Sequence, residues 1–184
     1  MDLSCHESAC TEIVRAISIV VRRSANDDFK LTFRLDGDLS RIQMPSANAP
    51  RFATDLWRHT CFEVFIAVDG HPGSHEFNFS PSGDWAIYAF NSYRNGGPVN
   101  DETMRPRIVS RTSGNRFELN AHVPVSALSA IHSRVALRLG LAAVIESNDG
   151  LSYWALHHPS ERPDFHNAEG FALLLELPEG ESQV

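Results

Sequence analysis

Two glutamates on neighbouring predicted strands are the residues of this sequence best placed for chemistry. Glu63 lies in the segment CFEVFIAV (61–68) and Glu76 in HEFNFS (75–80), with a turn at 69–74 between them. A hydrolase or lyase acting on a glycosidic bond uses two carboxyl groups about 5–10 Å apart as acid and base. Adjacent strands allow that separation, although two glutamates exposed on a sheet produce the same pattern without catalysis.

Three histidines and one aspartate fall in a single irregular segment near the C-terminal end. The candidate ligands in HHPSERPDFHNAEG (157–170) are His157, His158, Asp164 and His166. Imidazole and carboxylate groups are common zinc ligands, so these four define a weak candidate metal site. The alternative is a polar loop in which one or two imidazoles satisfy backbone groups.

Aromatic side chains near predicted strand ends indicate a third kind of chemistry, the recognition of a sugar. Ring faces stack on the apolar C–H side of a pyranose, and planar polar groups bind its hydroxyls. For each tryptophan the alternative is a place in the core. The residues of the predicted ligand-binding set are Trp57, Glu63, Glu76, Asn78, Trp85, Trp154, Arg162 and His166.

Fingerprints of the common enzyme classes are absent from the sequence. It contains no G-x-S-x-G elbow, no P-loop, no H-E-x-x-H, no C-x-x-C and no G-x-G-x-x-G opening a helix. The sequence therefore favours a binding module over an enzyme, with no resident metal or other cofactor.

The elements that must position these residues are predicted from alternation with a period of two, which is typical of half-buried strands. In FKLTFRLDGD (29–38), for example, Phe29, Leu31, Phe33 and Leu35 fall on one side. Ten segments show such a pattern or a short apolar run: 16–23, 29–38, 61–68, 75–80, 85–93, 107–111, 116–123, 134–147, 151–156 and 171–177. These segments predict an all-β sandwich or barrel.

Length and charge limit the remaining possibilities. The 184 residues suit one domain, with a core over about 12–177 and a polar tail at 178–184. A net charge of −7, from 16 Lys and Arg against 23 Asp and Glu, argues against nucleic acid as a partner. No apolar run is long enough to span a membrane. Exposed edge strands make a homodimer a further possibility.

The N-terminal residues and the three cysteines predict a cytoplasmic protein. The start MDLSCHESACTEIV lacks the basic end and apolar stretch of a secretory signal. Cys5, Cys10 and Cys61 are an odd number, which predicts reduced thiols, with Cys61 a small strand residue. Cys5 and His6 are a further weak candidate pair for a metal.

Three longer strings resemble one family: LWRHTCFEVFIA (56–67), EFNFSPSGDWAIYAFNSYR (76–94) and SYWALHHPSERPDFHNAEGF (152–171). In this order they resemble the bacterial DOMON-like proteins, whose fold is similar to that of family 9 carbohydrate-binding modules. The resemblance runs from about Leu3 to Leu177. It implies an immunoglobulin-like antiparallel β-sandwich of about ten strands, with a ligand site on one sheet or at its end.

The resemblance also implies roles for individual residues. In family 9 modules two tryptophans clamp the terminal sugar; Trp57 matches the first and Trp154 is the candidate for the second. DOMON domains bind either sugars or haem, and Met44 with His157, His158 or His166 would be the axial ligands of a haem.

The prediction is therefore a non-catalytic module for a small saccharide or a sugar-like metabolite. The alternatives are a haem-binding DOMON domain and a glycosidic-bond hydrolase or lyase. The enzyme would use Glu63 and Glu76, or a metal held by the histidine-rich segment.

Overall fold

A computed structural model describes residues 1–23, 28–128, 132 and 134–176 of the chain. This part of the chain is built from β-strands joined by loops and short 3₁₀ helices. Its twelve strands are β1 (Asp2–Cys5), β2 (Val14–Arg23), β3 (Phe29–Gly37), β4 (Cys61–Val68), β5 (Ser74–Phe79), β6 (Trp85–Ser92), β7 (Asn95–Pro98), β8 (Arg107–Ser113), β9 (Arg116–Val123), β10 (Leu137–Ser147), β11 (Gly150–Ala155) and β12 (Leu173–Leu175).

The strands form one antiparallel sheet that folds over a shared core. Its order is β7-β6-β5-β4-β10-β11-β1-β2-β3-β9-β8, and β12 pairs with β10. Strand β1 pairs with β11 on one side and β2 on the other, so it joins two layers. The first layer contains β2, β3, β9 and β8, and the second contains β7, β6, β5, β4, β10 and β11. Across the core, Phe62 of β4 lies 5.1 Å from Phe33 of β3 and 5.7 Å from Phe117 of β9, measured between ring centroids. The predicted all-β sandwich is confirmed, and its sheet is open.

Alternation of apolar and polar residues explains the strands of the first layer, in which one face is buried in the core and the other is exposed to solvent. Phe29, Leu31, Phe33 and Leu35 of β3 are buried against the opposite layer, as predicted. Strand β4 differs, because all eight of its residues are buried. Its second face is covered by the segment 157–171, which we call the covering segment.

Two strands occur where the sequence predicted none. The stretch 95–106 was predicted as loop, but Asn95–Pro98 pairs with β6 as the edge strand β7. Gly96 allows this pairing, since a Cβ there would collide with the Ala89 backbone of β6. The other addition is β1. The predicted tail at 178–184 and residues 24–27 of the predicted hairpin loop lie outside the described residues, as does part of the predicted helical stretch at 126–133.

A disulfide joins Cys5, at the end of β1, to Cys10. The prediction of reduced thiols is wrong for this pair, because the turn at Glu7–Ala9 brings the two side chains together. His6 donates from Nε2 to the Ser160 carbonyl oxygen at 3.1 Å, so it tethers the covering segment and forms no metal pair with Cys5. Cys61 is free and buried in β4.

The covering segment packs on the outer face of β4 and β10. Phe171 stacks on Phe65 with ring centroids 5.6 Å apart. Gly140 of β10 makes room for this ring, since a Cβ there would lie 2.6 Å from a carbon of Phe171. A glycine in a central strand usually weakens it, and here it permits the close approach of another segment.

Replacing Gly140 with alanine should therefore loosen the covering segment. We expect Gly140→Ala to lower the free energy of unfolding by about 1–3 kcal/mol, the usual cost of overpacking. Amide hydrogen exchange in 157–171 should become faster. Gly97→Ala is the control, because a Cβ at Gly97 meets no atom within 4 Å. Equal stability and equal exchange for the two variants would contradict this account of Gly140.

Candidate functional site

A cavity of about 540 Å³ opens between the outer face of the second layer and the covering segment. Its floor comes from β4, β5 and β6, and its sides from β7, β10, β11 and the 3₁₀ helix Leu56–Arg58. Six aromatic side chains line it: Trp57, Phe65, Tyr88, Phe90, Tyr153 and Phe165. Four further lining side chains carry polar or ionisable groups: Glu63, Glu76, Arg94 and His166.

Strand register brings the two glutamates together on the cavity floor. Glu63 of β4 lies opposite Asn78 of β5, and Glu76 of β5 lies opposite Phe65 of β4. The two glutamates are thus diagonal neighbours on one face, a relation that lets long side chains interact. Both are buried, with 2% of Glu63 and 4% of Glu76 exposed. The alternative of two exposed strand glutamates does not hold.

The two carboxyl groups are not equally satisfied. The Asn78 side-chain amide donates to Glu76 Oε1 at 2.6 Å, and the Cys61 thiol donates to Asn78 Oδ1 at 3.4 Å. Asn78 therefore holds Glu76 in place from beneath the cavity. Glu63 Oε1 is buried and receives no hydrogen bond from the described part of the chain.

Burial favours the neutral form of both acids. It raises the pKa of Glu63 well above its ordinary 4.5, and the nearby charge of Glu76 adds to the increase. Burial also raises the pKa of Glu76 to about 7, although the Asn78 hydrogen bond and the charge of Arg94 oppose the rise. A carboxyl group without a counter-charge in an apolar site keeps its proton because the ion loses its hydration.

His166 is held between two rings of the cavity. Its imidazole lies 5.2 Å from the Phe65 ring and 4.9 Å from the Phe90 ring, measured between centroids. Its Nε2 is 3.6 Å from Glu76 Oε2. Burial, followed by the positive charge of Arg94, lowers the pKa of His166 to about 4. The imidazole is thus neutral near pH 7 and adds no positive charge beside Glu76.

Asp164 fastens the covering segment to the turn between β6 and β7. It accepts a hydrogen bond from the Tyr93 hydroxyl at 2.7 Å and one from Arg94 Nη2 at 2.8 Å. Burial raises the pKa of Asp164, but these hydrogen bonds outweigh burial and keep the pKa below its ordinary value. Asp164 is thereby an anchor that also directs Arg94 along the cavity edge.

Trp57 stands at the mouth of the cavity, with 41% of its surface exposed. Its 3₁₀ helix begins after Asp55, whose backbone N–H donates to the Tyr88 hydroxyl at 3.2 Å. The Arg58 guanidinium lies 4.9 Å from the centre of the indole. The ring is consequently positioned by contacts on one side and is accessible from solvent.

The other two tryptophans lie in the core, which corrects their prediction as ligand contacts. Trp85 is fully buried against Phe52, with ring centroids 5.3 Å apart. Trp154 is buried as well, and its Nε1 donates to Ser152 Oγ at 3.0 Å. Alternation along β11 explains the second case: Tyr153 faces the cavity, so its neighbour Trp154 must face the core.

Arg162 and the predicted metal ligands are also placed differently from expectation. Arg162 is exposed and lies outside the cavity lining. His158 donates to the Ser4 carbonyl oxygen at 2.9 Å, whereas Asp164 binds the β6–β7 turn. Among the described residues, no group of three or more His, Cys, Asp or Glu side chains is arranged to hold a metal ion. His157, His158, Asp164 and His166 do not converge.

Met44, the candidate axial ligand of a haem, packs against the hydrophobic core. It does not line the cavity, whereas His166 does. The structure therefore does not bring the proposed methionine–histidine pair together in this site.

Several cavity residues were absent from the predicted set: Phe65, Tyr88, Phe90, Arg94, Tyr153 and Phe165. The register of neighbouring strands is the signal that could identify two of these residues. Tyr88 lies directly opposite Glu76, and Tyr153 lies opposite Val144, another cavity residue. Such pairings follow from the sheet and not from any local motif.

The fold resembles that of a solved bacterial protein. That crystal structure is described as of a "putative carbohydrate-binding protein" from Bacteroides uniformis ATCC 8492. The TM-score is 0.57 at 16% identity, and the match covers 88% of this chain and 76% of that one. At this identity the likeness concerns the fold alone. No family model and no curated protein matches the chain, so the DOMON resemblance stays a prediction.

The described residues contain no helix with the length and apolar character needed to cross a membrane.

The raised pKa of Glu76 predicts how stability depends on pH. Its pKa is about 7 when folded and about 4.5 when unfolded, so its contribution to stability is lost as pH rises between these values. His166 acts in the opposite direction, because its lowered pKa costs stability as pH falls below 6.5. Wild type and the Glu76→Gln variant both retain His166, so the histidine contribution cancels in the difference between their free energies of unfolding. The wild type should lose stability relative to this variant from about pH 5 to 8.

Urea unfolding at several pH values measures this difference. Glu118→Gln is the control, since hydrogen bonds from Asn120 and Arg34 hold the pKa of Glu118 below 4.5. Its stability relative to wild type should not change over the same range. Parallel curves for wild type and Glu76→Gln would show that Glu76 titrates normally.

Proposed function

We propose that this chain is a non-catalytic module that binds a small saccharide or a sugar-like metabolite in the cavity beneath the covering segment. The observation that carries the proposal is one recess with aromatic walls and carboxyl groups on its floor. Its volume of about 540 Å³ lies in the range of small-molecule sites, about 300–1,000 Å³.

The aromatic walls supply the stacking surface that such a ligand needs. Trp57 offers an indole at the mouth, while Tyr153 and Phe165 meet deeper along one side with ring centroids 6.2 Å apart. The apolar faces of a pyranose gain contact with such rings at low entropic cost, because the rings are already packed. The Bacteroides uniformis protein with a similar fold is described as a "putative carbohydrate-binding protein", and this description supports the same ligand class.

The polar groups supply orientation. Glu63 and Glu76 lie on the floor, and Asn78 fixes the position of Glu76 by its 2.6 Å hydrogen bond. A carboxyl group can accept two hydroxyl groups or, when protonated, donate to one. Ligand hydroxyl groups would thus form the hydrogen bonds that Glu63 Oε1 lacks.

Binding assays on a glycan array, followed by calorimetry on each positive glycan, test the proposal. Trp57→Ala should weaken binding by about tenfold or more, because it removes the exposed stacking face. Arg162→Ala is the control, since Arg162 is exposed on the covering segment but outside the cavity. A ligand that binds both variants equally well would contradict the site, and failure of every glycan would contradict the function.

One observation favours a second function. Two buried acids with raised pKa values in a cavity resemble the carboxyl pair of a glycosidic-bond hydrolase. Incubating each glycan that binds and analysing the mixture by mass spectrometry separates the two functions. Intact glycan supports a binding module, whereas cleavage by wild type and not by Glu63→Gln would establish the enzyme.

Location and assembly remain predictions. The cytoplasmic location rests on the N-terminal residues, and the Cys5–Cys10 disulfide favours an oxidising compartment instead. The expected partner is the small ligand, and the homodimer formed through edge strands is a prediction that solution measurements of mass would test.

A further inference from the structure

The floor of the cavity contains a buried carboxyl oxygen that has no hydrogen-bond partner among the described residues. Glu63 Oε1 is buried and receives no hydrogen bond from the described residues, and Glu63 as a whole is 2% exposed. Glu76 receives the Asn78 amide on Oε1, while Oε2 lies 3.6 Å from His166 Nε2, beyond ordinary hydrogen-bond distance. Leaving a buried polar atom unpaired costs free energy, so such an atom at a cavity floor indicates a ligand donor.

Apart from Arg94, the groups around the two acids do not provide a counter-charge. From the strands, the polar side chains near them are Cys61, Asn78, Tyr88 and Tyr153, none of which is cationic. His166, on the covering segment, is neutral near pH 7.

Arg94 is the one permanently cationic side chain among the described residues of the cavity lining. Its guanidinium is bound to Asp164 at 2.8 Å and to the Tyr93 hydroxyl at 3.2 Å. Asp164 therefore balances its charge, and the site holds two further acids without a cation assigned to them.

The cavity walls suit a positive charge as well. Six aromatic rings line the space above the two acids, among them Trp57, Tyr88 and Tyr153. The face of an aromatic ring attracts a cation, and cages of several rings bind quaternary ammonium ligands in this way.

We propose that the ligand of this cavity carries a free amino group, and that its ammonium form sits against Glu63 and Glu76. The ligand class is then an amino sugar with an unsubstituted amine. This inference rests on the proposed function and specifies the ligand of the same site. An ammonium supplies three N–H donors and one positive charge, which match the unpaired oxygen of Glu63 and the pair of acids.

Ligand binding is then linked to proton release. In the free protein burial favours the protonated form of Glu63 near neutral pH, and Glu76, with a pKa of about 7, is partly protonated there. When the ammonium arrives, its charge stabilises a carboxylate, the O–H bond of one carboxyl group breaks, and that proton passes to the buffer. Affinity should accordingly rise from about pH 5 to 7, where the amine itself stays protonated.

Three sugars that differ at one ring substituent test the inference: glucosamine, N-acetylglucosamine and glucose, each as monosaccharide and as β-1,4-linked tetrasaccharide. Calorimetry in two buffers of different ionisation enthalpy gives both the affinity and the number of protons released. We expect the amine to bind at least about tenfold tighter than the acetamide and the hydroxyl, with net proton release.

Glu63→Gln provides the decisive comparison, because it keeps the shape of the side chain and removes its charge. It should lose both the preference for the amine over the two neutral sugars and the proton release. Glu118→Gln, on the opposite layer, should behave as wild type. Circular dichroism and melting curves establish that both variants fold.

Other outcomes separate this inference from the proposed function. If the neutral sugars bind as tightly as the amine, the amine preference is wrong and the saccharide module stands. If none of the six probes binds, the inference is overturned, and the wider glycan array then decides the proposed function separately.

Discussion

The burial of two acidic side chains on the outer face of a β-sheet is the constraint on which the site depends. A strand position on the outer face of a sheet is normally exposed to solvent, and a glutamate there pays no desolvation penalty. Here Glu63 and Glu76 are under the covering segment, and neither has a cationic partner within hydrogen-bond distance. Keeping such groups out of water is expensive, so the fold must hold its cover firmly and accept protonated acids.

The cover is attached at separate points along its length. His6 and His158 connect it to the N-terminal region through the Ser160 and Ser4 carbonyl oxygens. Asp164 binds the β6–β7 turn, and Phe171 packs into the space left by Gly140. Between these points, His166 and Phe165 face the cavity. The same segment therefore closes the site and forms part of its wall.

Strands with one wet face could be predicted from the sequence. In β3 the alternation of Phe29, Leu31, Phe33 and Leu35 marks the buried face without ambiguity, and the sandwich follows from several such strands. Strand β4 also shows alternation, yet its second face is buried too. Local sequence does not reveal that burial, because the cover lies about a hundred residues away along the chain.

The site was harder to predict because a single residue decides which face a side chain occupies. Tyr153 and Trp154 are adjacent, and a tryptophan is the more usual sugar platform, but the register of β11 with β10 turns the tyrosine to the cavity. Trp57 precedes its strand, so no alternation applied to it, and its exposure comes from the 3₁₀ helix after Asp55. Glu63, Glu76 and Asn78 lie close together because their strands are joined by a short turn.

The most direct measurement of the central claim is a carbon-detected NMR titration of the glutamate side-chain carboxyl groups in the ligand-free protein. The account predicts two resonances, assigned to Glu63 and Glu76, that titrate well above 4.5, with that of Glu76 at about 7. Glu118, whose pKa is lowered by hydrogen bonds from Asn120 and Arg34, provides the internal comparison. If Glu63 and Glu76 both titrate near 4.5, the acids are hydrated, the cover is open, and the account of the cavity is contradicted.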